Sequence, residues 1–184
     1  MQETELATFN AWIARIPQDA EVLLEAALSE AVPSQARRLL LGSLDYLPRQ
    51  FDLIPDHWGG MGALDDAFVL RVGAMLARKA GLGPLRLDLD LDFQRLAADT
   101  DTIRSLLGDV YPLLVAYVVR LPDLEVRGRT ADRILADPQV RDQFLRELRH
   151  SLQQPAPPPL SDEAALEQIR RFIRDRGTLS LPAG

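Results

Sequence analysis

At 184 residues the chain can bury one well-formed core with an appended element, and it is too short for two ordinary domains. Its 47% hydrophobic and 26% charged residues sit at the average of soluble globular domains, which excludes wholesale disorder and fibrous architectures. A formal net charge of -6 repels phosphate backbones and anionic headgroups, so nucleic acid is not an expected partner; the absence of cysteine removes disulfides, thiolate metal sites and cysteine nucleophiles together.

The start, Met1-Gln2-Glu3-Thr4-Glu5, is acidic where a secretory signal needs a basic start and an apolar run, which points to a cytoplasmic protein. Leu6, Phe9, Ile13 and Ile16 then recur at helical spacing after Thr4, which can cap, and Pro17 stops the pattern. A second helix is expected over residues 19–31, with Val22, Leu23, Ala26 and Ala27 on one side and Pro33 ending it. Ser34 is placed to cap a third helix to about Leu47, with Ala36, Leu39, Leu40, Ser43 and Leu44 on one stripe and Arg37 and Arg38 outward. A Pro/Gly-rich acidic segment follows. Beyond it Asp65 and Asp66 are expected to open a fourth helix, which carries Phe68, Val69, Val72 and Leu76 inward and ends near Ala80, before Gly81.

Over residues 85–93 the period changes, because leucines and Phe93 alternate with Arg86, Asp88, Asp90 and Asp92. With no second alternating run to pair with, this reads as an extended linker or a strand shared between subunits, with a short helix from Asp92. Thr100 or Asp101 can cap the next helix, through Ile103, Leu106, Leu107, Val110, Leu114 and Tyr117, kinked at Pro112. Its apolar run, residues 110–119, is about half of the roughly 20 residues a membrane helix needs, so it reads as a core helix and no transmembrane segment is expected. Thr130 caps a short helix to Ala136, and Asp137-Pro138 starts another to about Leu152. Residues 153–160 (QQPAPPPL) form a polyproline-like linker, and Leu166, Ile169, Phe172 and Ile173 make the segment beyond it an amphipathic helix. The expected fold is all-α: a compact multi-helix domain over 1–152, a linker over 153–160, and a C-terminal amphipathic helix and tail over 161–184. Tethered in this way, the last helix either docks a protein partner or a second copy, or folds back on its own domain.

The segment over residues 46–66, YLPRQFDLIPDHWGGMGALDD, carries the most information. Asp52 and Asp56 flank an apolar pair and Pro55, as a tight turn requires, and Gly59, Gly60 and Gly62 allow positive backbone torsions that would fold the chain back. Such a fold can bring Asp52, Asp56, Asp65 and Asp66 together as a site for Mg, Ca or Mn, which need several carboxylate or carbonyl oxygens. The bland alternative is structural, with Asp65 and Asp66 capping a helix while Arg49, Arg71 or His57 neutralise the other acids. His57 can act as a ligand or base but more simply hydrogen-bonds at the surface, and Trp58 and Phe51 read as lids on the core. Elsewhere, Asp88-Leu89-Asp90-Leu91-Asp92 begins like a calcium loop, but Phe93 stands where glycine is needed; Gly81-Leu82-Gly83 lacks the Lys-Ser/Thr of a phosphate loop, and neither His57 nor His150 belongs to a nucleophile motif.

In the spacing of Tyr46, Asp52-Leu53-Ile54-Pro55-Asp56, Gly62 and Leu64-Asp65-Asp66, the chain resembles the YkvA-like bacterial domain of unknown function, over about residues 38–70. It departs from that pattern in having Gln50 and Gly59 where prolines are common. The resemblance implies a small helical bacterial domain, often beside a membrane segment, with no established catalytic residue to carry over. Association with a membrane would then need a partner or the C-terminal helix. Two functional expectations follow: a non-enzymatic adaptor or regulator working through protein–protein contacts, or a metal-dependent activity at Asp52, Asp56, Asp65 and Asp66.

Overall fold

The structure, a computed structural model, describes residues 2–48, 60–160 and 164–179, and the backbone alone at 2–4, 164–165 and 176–179. The described residues form an all-α bundle without strands, in the order α1 (Gln2–Ala14), α2 (Ile16–Leu28), α3 (Ser34–Leu44), α4 (Gly60–Ala80), α5 (Leu87–Leu107), α6 (Tyr111–Arg120), α7 (Ala131–Ala136), α8 (Pro138–Leu152) and α9 (Ala164–Leu179). The central element is α4, which packs on α3 and α5. It is apolar almost all round, and a helix of that kind is stable only when enclosed. One side of the core gathers Phe9, Phe68, Ile103, Leu114 and Ile169 from α1, α4, α5, α6 and α9. The other gathers Leu23, Leu40, Leu70, Phe93 and Phe144 from α2, α3, α4, α5 and α8. Gly73 lets α3 and α4 approach closely, since a Cβ there would lie 2.1 Å from the Ser43 Oγ.

Several boundaries differ from the sequence reading for identifiable reasons. Pro17 stops α1 but sits in the first turn of α2, where its missing N–H costs nothing, so the second helix begins three residues earlier than expected. Ser34 is already helical, and Pro33 rather than Ser34 holds the cap position of α3. Thr130 and Asp137 do cap α7 and α8, accepting from the backbone N–H of Arg133 at 3.4 Å and of Gln139 at 2.9 Å. The left-handed Gly81 (φ 92°) closes α4, as a residue without a Cβ can.

The largest correction concerns residues 85–93. They are neither a linker nor a strand, because α5 starts at Leu87 and runs unbroken through Thr100, whose hydroxyl donates to the Ala97 carbonyl within the helix at 2.6 Å. A run with leucine at every second position also places Leu89, Phe93 and Leu96 at helical spacing, and these three are the ones buried. The break falls later. Gly108 (φ 56°, ψ -121°) ends α5, a short 3-10 turn follows, and Pro112 sits in the first turn of α6. By length and composition alone Leu87–Asp123 could cross a membrane, but Gly108 divides it and α6 buries Tyr111, Leu114 and Val118 in the bundle.

The proline-rich segment does not detach the last helix. Asn10 on α1 grips the linker with both ends of its amide, donating to the Leu160 carbonyl at 3.2 Å and accepting from the Leu160 N–H at 2.8 Å. Gly60 accommodates the same strand of chain, since a Cβ there would meet the Pro158 carbonyl oxygen at 2.6 Å. From that anchor α9 lies along α6 and buries Leu166, Ile169 and Ile173. The folded-back alternative is therefore the one observed. An apolar stripe of this size gains more from a neighbouring apolar helix of its own chain than from water.

Candidate functional site

The described part of the acidic segment is organised around a buried hydrogen bond. Tyr46, just past α3, is fully buried, and its hydroxyl donates to Asp65 Oδ2 at 2.6 Å, while its ring meets Tyr117 of α6 edge-on at 6.0 Å. Asp65 is itself fully buried. Two landmarks of the motif are thus one physical link, a hydroxyl donor on a carboxyl oxygen that joins the two ends of the segment.

This geometry corrects the capping expectation. The helix opens at Gly60 and has no acid in its first turn, so Asp65 and Asp66 lie in the second turn, past the free N–H groups that a cap serves. Gly60 and Gly62 are helical and do not supply positive torsions. Asp65 meets Tyr46 while half-buried Asp66 lines a cleft, as expected of consecutive helical residues, which do not share a face. Asp52, Pro55, Asp56, His57 and Trp58 lie outside the described residues, as do Arg49, Phe51 and Gly59. Among the described residues, no group of three or more histidines or carboxylates is placed to hold a metal ion.

Arg71, expected to neutralise the motif acids, has other partners. It is fully buried, donates to Asp99 at 2.9 Å, Asp19 at 3.1 Å and the Ala67 carbonyl at 3.1 Å, and lies 4.3 Å from the centre of the Trp12 ring. Asp19, also fully buried, takes a further bond from Arg95 at 2.7 Å. Burial pushes the Arg71 guanidinium below its ordinary value, while Asp19 and Asp99 oppose the shift. A second such knot ties α3 to α8, where Arg129 donates to Asp45 at 2.6 Å and pairs with Glu147 at 2.7 Å. Arg127, at φ 48°, reaches Glu147 at 3.0 Å and the Pro48 carbonyl at 3.3 Å. Neither knot was foreseen from sequence. A lone arginine amid the apolar residues of Ala67-Phe68-Val69-Leu70-Arg71-Val72 was the signal for the first; the partners of Arg129 are too distant in sequence to leave one.

The acids of residues 88–92 are likewise engaged with cations. Asp88 pairs with Arg86 at 3.0 Å, Asp90 with Arg78 at 3.0 Å and Asp92 with Arg95 at 3.2 Å, so the calcium-loop pattern is a helix face laced by ion pairs. Among these charges two leucines of the same turns face outward. Leu87 and Leu91, one turn apart, are 75% and 54% exposed, and Leu85 beside them is half-buried.

No protein-family model, curated protein or solved structure matches the chain.

Proposed function

We propose that the protein is a YkvA-like helical domain acting as a non-enzymatic adaptor or regulator through protein–protein contacts. The observation that supports this reading is the exposed Leu87–Leu91 pair at the start of α5. Single exposed leucines are ordinary, but two exposed leucines one turn apart on the same helix face give a paired apolar spot that a partner can cover. Covering a leucine fully is worth roughly 1.5–3 kcal/mol, and the flanking Arg86–Asp88 and Arg95–Asp92 pairs supply a polar rim. The buried ionic knots add a second support, since they commit Asp19, Arg71, Asp45 and Arg129 to holding helices together.

In this reading the contact surface lies on α5 rather than on α9, whose apolar stripe is already used within the chain. A photo-crosslinking amino acid at position 87 or 91 of the full chain, activated in cells, is expected to give a discrete adduct with a second copy or another protein. The same group at exposed Asp101, farther along α5, is expected to give none. Equal labelling at 91 and 101, or no adduct at either leucine position, would overturn the proposal.

A further inference from the structure

The proline-rich segment is pinned at both ends, by the turn that closes α8 and by the clamp of Asn10 on Leu160. Between these points Pro155-Ala156-Pro157-Pro158-Pro159 is neither helix nor strand, and among the described residues it makes no backbone–backbone hydrogen bond. Each ring holds φ near about -65°, and each residue before a proline is turned away from the helical region. The run is thereby confined to polyproline II, a left-handed helix of about three residues per turn. Exposure follows that period. Leu160 is buried and Pro157, three residues earlier, is half-buried, whereas Pro155 and Pro158 on a second edge and Ala156 and Pro159 on the third are exposed. The segment is also undercut. A cleft of about 320 Å³ opens beside Pro155, Ala156 and Pro157, with Ile13, Ile16, Leu47 and Leu152 among its apolar walls.

We infer that residues 155–159 are a ligand for an aromatic-lined groove on another protein, which closes over the two outward edges of the polyproline helix. The chemistry of the segment selects that partner. Four of its five residues lack an N–H, so Ala156 is its one backbone donor and it cannot add as a strand to a sheet. It carries no charge, so an ionic surface has nothing to pair with. What it presents is flat rings at the P-x-x-P spacing of Pro155 and Pro158, and carbonyls that the polyproline helix leaves without internal partners; that of Pro158 faces Gly60. Aromatic faces match the rings, and tyrosine or tryptophan supplies the donors that such carbonyls accept. The neighbouring cleft gives a ring of the partner a second apolar wall. Pinning at Gln153 and Leu160 means that little ordering remains to be done on binding. This surface is separate from the α5 leucines and does not depend on them.

The test places a photo-crosslinking amino acid at position 156 of the full chain and activates it in cell lysate, with and without an excess of the synthetic peptide QQPAPPPL. A discrete adduct with another protein is expected, mapped by mass spectrometry to a segment containing tyrosine or tryptophan and removed by the peptide. Pro155→Ala combined with Pro158→Ala should lower its yield about ten-fold. Pro159→Glu, which keeps the other three prolines and sets a carboxylate on an outward edge, should lower it similarly. Melting temperatures close to that of the parent chain check that both variants keep α9 docked, since the substituted rings are exposed. No adduct, an adduct with a second copy, one that survives the peptide or either variant, or one mapped to a segment without tyrosine and tryptophan would each overturn the inference. An adduct at 156 with none at 87 or 91 leaves this inference standing and removes the α5 contact; the reverse pattern removes only the polyproline ligand.

Discussion

Arg71 and Arg129 are both buried between two carboxylates, yet their surroundings act on them in opposite directions. Arg71 lies in the middle of α4 under the Trp12 ring, and burial lowers its pKa despite Asp19 and Asp99. Arg129 lies at the edge of the bundle, beside the partly open Arg127 and Glu147. Burial works against its charge too, but Asp45 and Glu147 outweigh it and hold its pKa above the ordinary value. Contact lengths agree with this difference, at 2.6 and 2.7 Å around Arg129 against 3.1 and 2.9 Å around Arg71. The interior knot is maintained against desolvation by many partial contacts, whereas the marginal one is a short, strong clamp.

Removing one member of each knot gives the largest effects. Arg71→Leu leaves Asp19 fully buried with only its lateral contacts to Arg95 and Arg15, and is expected to cost about 3–5 kcal/mol in equilibrium denaturation. Arg129→Leu leaves Asp45 and Glu147 closer to water and should cost roughly half as much. Replacing Arg71, Asp19 and Asp99 together with apolar residues should recover most of the first loss, because it removes the desolvation penalty along with the attraction. Equal costs for the two single variants, or no recovery in the triple one, would break the contrast between interior and edge.

Tyr46 sharpens the contrast from the neutral side. Its hydroxyl donates to the buried Asp65 carboxylate, so Tyr46→Phe keeps the packing against Tyr117 and removes one donor. The expected loss is about 1–3 kcal/mol, below that of Arg71→Leu, measured by the same denaturation. A loss near zero would show that the motif's tyrosine acts through its ring alone.

These buried links also explain what the sequence did and did not reveal. Helix positions along most of the chain follow from local periodicity and punctuation, which is why Pro17, Thr130, Asp137 and Gly81 mark real ends. The alternation of residues 85–93 misled because leucines at every second position satisfy a period of two and, with Phe93 and Leu96, one of 3.6. The decision was tertiary: α2 and α4 pack on α5 and leave an apolar seat for Leu89 and Phe93. Asp65 was misassigned because its helix begins five residues earlier, at a glycine needed for close contact with Pro158 rather than for a turn. The Tyr46 to Asp65 bond joins residues whose spacing was visible, but its partnership required knowing that both side chains turn inward.

Glu147 provides the smallest and most specific test of the edge clamp. Burial alone would raise its pKa, but hydrogen bonds from Gln143 and Arg129, with Arg127 adding to them, hold it below the ordinary 4.5. In the pH interval between the folded and ordinary values the unfolded chain binds more protons, so acidification favours unfolding. The contribution is therefore complete above about pH 4.5 and disappears as pH falls through the lowered folded value. Glu147→Gln lacks this titration, so its stability should lie slightly below wild type at pH 7, by under about 1 kcal/mol, with the two curves converging as pH falls below about 4.5. A separation that stays constant from pH 7 down through the acid limb of the unfolding curve would mean that the carboxylate's charge contributes nothing at the clamp and that the short contacts to Arg129 act as ordinary hydrogen bonds.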